Sequence, residues 1–160
     1  MSVFRLQPID STIQSWANQF LERHWGTTTV VSRGKLYDAA TLPGFVAILD
    51  NQPVGLVTYR IAGAECEVMT INSAVNGVGI GSALLTAVAE AARAANCRRL
   101  WLITANDNLA ALRFYQKWGL RITAVHPNAL DISRQLKPQI PLIGLDGIPL
   151  RDEIVLEMAL

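Results

Sequence analysis

The chain has 160 residues, enough for one domain to bury a real core, and its 51% hydrophobic and 17% charged residues exclude a disordered polymer. A net charge of +1 gives no field to draw in nucleic acid or an anionic membrane, and no apolar run approaches the roughly 18 residues of a membrane span. Met1-Ser2-Val3-Phe4-Arg5 lacks a signal-peptide pattern, and Cys66 and Cys97 are too few for a disulfide framework or a Cys-based zinc site. The expectation is one cytoplasmic domain over residues 1–160, with reduced thiols and no metal.

Phe4 and Leu6 predict a short first strand, and Ile13, Trp16, Phe20 and Leu21 predict a helix over 12–24 capped by Asp10 or Ser11. Residues 26–42 read as an irregular loop with a short helix near Tyr37–Ala40, long enough to suggest a function. The period then changes. Phe45–Leu49 and Val54–Tyr59 flank Asp50-Asn51-Gln52-Pro53 as a hairpin, and Cys66–Ile71 adds a third strand. A helix follows with Ile80, Leu84, Leu85, Val88, Ala91, Ala92 and Ala95 on its apolar face. Leu100–Ile103 is a buried strand, residues 107–118 are a helix stopped by Gly119, and Leu120–Val125 is another strand. Residues 127–135 suggest a short helix, Pro138, Pro141 and Pro149 punctuate a loop, and Glu153–Met158 is the last strand. The fold is therefore α/β: a mixed central sheet, antiparallel meander first and parallel β-α-β crossover second, flanked by helices.

The informative stretch is the Gly-rich turn between the third meander strand and the next helix. Gly77, Gly79 and Gly81 let the backbone approach closely, and amides at a helix start favour an anion such as a pyrophosphate. A P-loop is excluded because no lysine follows, and a Rossmann turn because Ser82 or Leu84 falls at its last position. What remains is Gln/Arg-x-x-Gly-x-Gly/Ala, matched by Asn76-Gly77-Val78-Gly79-Ile80-Gly81 except at its first residue. In this stretch the chain resembles the GNAT superfamily of N-acetyltransferases. Asn108, Ala111, Tyr115, Gly119 and Leu120 also fall in register with that family's Asn-x-x-Ala-x-x-x-Tyr-x-x-x-Gly-Phe/Leu pattern. Residues 45–125 carry the likeness.

The resemblance implies that Asn76, Gly77, Val78, Gly79, Ile80, Gly81 and Ser82 cradle the pyrophosphate of acetyl-CoA, with Asn76 shorter than the usual side chain. It implies that the backbone of Met69, Thr70 and Ile71, with Asn106, Asn108, Ala111 and Tyr115, holds the pantetheine arm and thioester. Helix capping by Asn106 or Asp107 competes for part of that cluster. An alkylammonium acceptor, pKa about 10.4, must lose a proton before it attacks. Glu67, in a mostly apolar strand, is the candidate base, and Tyr115 is the candidate acid beside the CoA sulfur. Alternation places Glu65, Glu67, Met69 and Ile71 on one face and Cys66, Val68, Thr70 and Asn72 on the other. Phe114 reads as the aromatic that fills the core, leaving Tyr115 for the site.

The expected activity is direct transfer of acetyl from acetyl-CoA to a primary amine of a small molecule or peptide. The competing reading is a non-catalytic acyl-CoA-binding sensor. Neither cysteine adjoins a histidine or a helix start, and Ser32 and Ser73 lack a nucleophile elbow, which disfavours covalent catalysis. His24 and His126 read as surface imidazoles. The acceptor pocket is expected within residues 26–42 and 126–151, where Arg33, Tyr37, His126 and Arg134 are lining candidates. By analogy the last strands are a homodimer surface.

Overall fold

The computed structural model describes residues 3–160. In chain order they form β1 (Phe4–Pro8), α1 (Gln14–Trp25), β2 (Thr29–Ser32), β3 (Lys35–Asp38), a 3-10 turn (Ala39–Thr41), β4 (Gly44–Leu49), β5 (Gln52–Ala62) and β6 (Glu65–Ser73). Then come α2 (Ile80–Ala94), β7 (Arg99–Ala105), α3 (Leu109–Trp118), β8 (Arg121–His126), α4 (Ala129–Leu136) and β9 (Glu153–Ala159). Seven strands make one mixed sheet in the order β1-β4-β5-β6-β7-β9-β8, and β2 and β3 form a separate hairpin. Its parallel pair is β6–β7, joined by α2, as the expected crossover requires. The last strand, β9, inserts between β7 and β8, which leaves β8 on a sheet edge with Ile122 and Val125 exposed.

Two apolar clusters sandwich the sheet. On one face Leu84, Leu85, Val88 and Ala92 of α2 pack with Val57, Cys66, Val68, Leu100, Leu102 and Leu156. On the other, Ala17, Phe20 and Leu21 of α1 pack with Val30, Val46, Ile48, Leu56 and Met69. Tight approach of α2 to the sheet is visible at Gly55, where an added Cβ would lie 2.9 Å from Ile80 Cγ2. Both cysteines are free and buried, and burial pushes the Cys66 thiol up to about 12, so it stays protonated.

Three expectations are corrected. Residues 26–42 are ordered into the β2–β3 hairpin, whose two-residue turn holds Arg33 and Gly34 at φ 48° and 75°, the handedness such turns require. The predicted helix near Tyr37–Ala40 shrinks to the 3-10 turn, where Asp38 accepts from the Ala40 amide. Neither Asp10 nor Ser11 caps α1. Asp10 Oδ1 instead accepts from the Thr12 amide at 2.9 Å, closing a turn before the helix starts at Gln14.

Candidate active site

The site begins with a defect in the sheet. β6 and β7 pair only at Glu65↔Arg99, Cys66↔Leu100 and Glu67↔Trp101, although β6 continues to Ser73 and β7 to Ala105. Beyond Glu67 the two strands part, and their facing backbone edges carry no ladder. An irregularity lies two residues further along. Against β5 the register steps from Thr58↔Thr70 to Tyr59↔Val68, so Met69 is the extra residue of a β-bulge, which bends its strand.

The bulge overturns the expected alternation. Cys66, Val68 and Ile71 pack with α2, whereas Met69 packs with α1. Asn72 also faces the α1 side, where its Oδ1 accepts from Trp25 Nε1 at 2.7 Å. Thr70 bonds Thr58 at 2.6 Å within the buried sheet. One inserted residue moves Ile71 and Asn72 to faces opposite those a strict period of two predicts.

The opened strands flank a cavity of about 570 Å³. Met69, Thr70 and Ile71 line it from β6, Thr104 and Ala105 from β7, Asn108 and Tyr115 from α3, and Leu130, Ser133 and Lys137 from the C-terminal region. Tyr115 is 8% exposed, and burial pushes its phenol up to about 12, so it is a hydrogen-bond donor at neutral pH. Phe114 and Tyr115 divide the work differently from the sequence expectation. Tyr115 belongs to the buried core and reaches the cavity, while Phe114 packs under the Gly-rich turn, 3.0 Å from where a Cβ on Gly81 would be.

Glu67 also lines the cavity and is 5% exposed. Burial raises its pKa above the ordinary carboxylate value, opposed by a 2.5 Å hydrogen bond from Ser32 Oγ to Oε2 and by the positive charges of Arg33 and Arg60. Its far side opens onto a smaller pocket of about 120 Å³ shared with Arg33, Tyr37, Arg60 and Trp101. There Arg33 lies 4.2 Å over the Trp101 ring and Arg60 5.0 Å over Tyr37. Arg33 and Tyr37 are thus placed behind Glu67 rather than in the main cavity.

The Gly-rich turn lies at the head of α2. Gly77 and Gly79 adopt φ 81° and 85°, and an added Cβ at either would meet nothing within 4 Å, so both face open space. Ala83 is the first residue whose amide bonds back to the turn, at Gly79 O, and no side chain caps the helix. The amides of Ile80, Gly81 and Ser82 therefore stand at a helix start with the positive end of its dipole. Asn76 is exposed beside them.

The asparagines separate by role. Asn108 caps α3, its Oδ1 accepting from the Ala111 amide at 3.1 Å, in place of the expected Asn106 or Asp107. Asn106 instead staples the approach to β9, accepting from the Arg151 and Asp152 amides and donating to Pro149 O, all at 2.9 Å. Asp107 Oδ2 accepts from the Leu145 amide at 2.8 Å. Arg134 is likewise a staple, donating to the carbonyls of Ile140, Pro141 and Leu150 and to Asp131. His24 borders the cavity while its ring packs at a tilt against Phe20, and His126 lies exposed opposite Glu153.

Several cavity residues left no sequence signal. Lys137 is 7% exposed and donates to Trp25 O at 3.0 Å and Thr29 O at 2.7 Å, tying the end of α4 to the start of the hairpin. Ser32, Ser133 and Glu153 converge on the same space from three distant segments. Only an apolar strand interrupted by a carboxylate could have flagged Glu153, and its position at a strand start hid that.

The description "Acetyltransferase (GNAT) family" matches residues 11–120 as a family model. Among curated proteins, the uncharacterized protein YdhI of Bacillus subtilis (strain 168) is 40% identical over 149 residues, covering 92% of this chain and 93% of its own. YxbD of the same strain, also uncharacterized, is 41% identical over 138 residues, covering 86% and 87%. Among solved structures, an IAA acetyltransferase from Bacillus cereus ATCC 14579 superposes with a TM-score of 0.72 at 23% identity, covering 99% of this chain and 100% of its own. A GNAT family acetyltransferase from Elizabethkingia anophelis, solved with acetyl-CoA bound, gives 0.71 at 21% identity, covering 98% of each.

Proposed function

Because this chain belongs to the GNAT acetyltransferase family, we propose that it moves the acetyl group of acetyl-CoA directly to a primary amine of a small molecule or peptide, in the cytoplasm. Fold and family support an acyltransferase, and the bound acetyl-CoA of a structural neighbour supports the donor. One observation carries the amine reading: the opening between β6 and β7 gathers a buried carboxylate, Glu67, and a buried phenol, Tyr115, around one cavity.

The residues present fit the donor. Gly77 and Gly79 leave room in front of the uncapped α2 amides, so Asn76, Gly77, Val78, Gly79, Ile80, Gly81 and Ser82 would hold the pyrophosphate through backbone more than side chain. Met69, Thr70 and Ile71 would offer backbone groups along the opened edge of β6, where the bulge bends the strand. Asn108 would turn its free amide nitrogen to the pantetheine arm, with Ala111 on the first turn of α3 beside it. Asn106 supports this arrangement by holding the end of β7 against the β9 approach. Acetyl-CoA supplies an activated thioester, and the protein must supply orientation, a base and a donor for the leaving sulfur.

Glu67 takes the proton of the incoming ammonium. Its raised pKa makes it a stronger base than a solvated carboxylate, and Ser32 holds its orientation. Tyr115 steadies the departing sulfur by a hydrogen bond. A phenol at about 12 does not hand its proton outright to a thiolate whose conjugate acid has a pKa of about 8.5, so donation without full transfer is its role. β8, the exposed sheet edge, is the surface for a homodimer in this reading.

Screening amines for release of CoA thiol tests the activity. Tyr115→Phe should lower kcat by about 10- to 100-fold while CoA affinity stays within about threefold. A variant that loses CoA binding but turns over normally when saturated would remove Tyr115 from the chemistry.

A further inference from the structure

The main cavity holds a second carboxylate that the proposed reaction does not use. Glu153, the first residue of β9, is 7% exposed, and like Glu67 it has one oxygen fixed by a serine hydroxyl: Ser133 Oγ donates to its Oε1 at 3.2 Å. Glu67 has the same construction with Ser32. Among the described residues no buried side-chain oxygen is sealed away without a partner, so the remaining oxygens, Glu67 Oε1 and Glu153 Oε2, are open to the space these residues line, the main cavity for Glu153 and both pockets for Glu67. Neither carboxylate takes part in any of the four ion pairs found among the described residues.

The other charged groups nearby form no ion pair with either carboxylate. Lys137 borders the same cavity, yet its ammonium donates to the carbonyls of Trp25 and Thr29 and lies beyond ion-pair distance of both glutamates. Asp107 adds a third carboxylate, satisfied by the Leu145 amide. His126 faces Glu153 across the β8–β9 ladder from the exposed side, and Arg33 and Arg60 lie behind Glu67 in the smaller pocket. Two desolvated carboxylates in one cavity repel each other, and Arg33 and Arg60 at Glu67 and His126 at Glu153 act only from beyond ion-pair distance, so neither carboxylate has a directly paired cation. Burial raises both carboxyls above the ordinary range, and the charge of Glu153 adds to the shift at Glu67.

The ladder fixes their spacing. Glu67 is level with Trp101 and Glu153 with Ala105, about 13 Å apart along β7 and about 10 Å apart across it on the two flanking strands, so their Cα atoms are about 16 Å apart and the two side chains reach into the space between. A ligand that satisfies both must carry positive charge at each end of a short chain.

Resting on the acetyl-transfer reading above, we propose that the acceptor is a small diamine: Glu67 receives the nitrogen that is acetylated, and Glu153, oriented by Ser133, holds the second nitrogen as an ammonium. The hairpin, the end of α1 and α4 all line the cavity, which suits a small molecule over a folded protein surface. Glu153 is then a specificity-determining residue, and Lys137 a strut that keeps the α4 wall against the hairpin.

The test titrates CoA-saturated protein with α,ω-diaminoalkanes, from diaminopropane to diaminohexane, and with n-alkylamines of matching length, by calorimetry. The same pairs are followed in parallel for thiol release from acetyl-CoA. The best diamine should bind about 10- to 100-fold more tightly than its monoamine, the range of a buried charge-assisted hydrogen bond. In Glu153→Gln, which keeps the shape and the Ser133 partner, that preference should fall to within about threefold. Glu153→Asp, with a shorter carboxylate, should shift the preferred diamine toward greater length, a readout that a general loss of folding does not give. Equal binding and acetylation of both amine classes would overturn the diamine assignment and leave acetyl transfer standing. Diamine-selective binding without thiol release would uphold the site and overturn the catalytic reading. No diamine binding, or a preference unchanged in Glu153→Gln, would overturn the inference.

Discussion

Glu67 meets two opposed demands. Burial favours its neutral form, whereas accepting a proton requires the carboxylate, and the Ser32 hydroxyl with the Arg33 and Arg60 charges pulls the balance back. A carboxyl that titrates higher folded than unfolded contributes stability that is complete below the unfolded pKa and lost as pH rises through the folded one. Glu67→Gln, permanently neutral, should therefore be more stable than the parent at neutral pH and show no advantage near pH 3, well below about 4.3. Urea unfolding at the two pH values measures this; an advantage that is the same at both would place the effect in packing instead. The acid limb of the pH–rate profile should lie above the ordinary carboxylate range and vanish in the variant. Glu67 was readable because a carboxylate stood inside an apolar strand. Glu153 and Lys137 were not, since Glu153 is covered by separate segments such as Ser133 of α4, and Lys137 is held by the Trp25 and Thr29 carbonyls more than 100 residues away.

At the scale of elements, the helices were legible and the irregularities were not. Ile80, Leu84, Leu85, Val88 and Ala92 of α2 fill the core as their spacing predicts, joined by Ala89, whereas Ala91 is half-buried and Ala95, the residue that caps the helix end, is exposed. The bulge at Met69 could not be read, because an unpaired residue is defined by the opposite strand. The β2–β3 hairpin escaped for a related reason: four-residue strands carry too little alternation, and Arg33-Gly34 is a weaker turn signal than Asn-Gly. Contact between α2 and α3 makes a sharper prediction. A Cβ on Gly81 would sit 3.0 Å from the Phe114 ring, so Gly81→Val should cost about 1–3 kcal/mol by overpacking. Ser82→Val, one position along and exposed, should cost less than about 0.7 kcal/mol, the propensity difference alone. Equal costs in urea unfolding would show that Phe114 does not back the turn.

For the whole molecule, one topological event places the chemistry. A parallel pair that parts after three residues opens a cavity in the middle of the sheet, with the buried acids Glu67 and Glu153 on its lining. The element order and the two motifs, both local, conveyed the mixed sheet and the turn. The cavity wall formed by the hairpin, α4 and β9 comes from segments whose meeting is tertiary, which is why its buried charges were not legible in the sequence. The account rests on backbone amides at the head of α2 seating a pyrophosphate. Calorimetric titration of CoA into the wild type, Gly79→Asn and Gly79→Glu tests it directly. Asn tolerates the left-handed φ of 85° and should bind CoA within about tenfold of wild type, whereas Glu places a negative charge in the seat and should weaken binding at least about 100-fold. Equal affinity across all three proteins, or no binding by the wild type, would contradict the account.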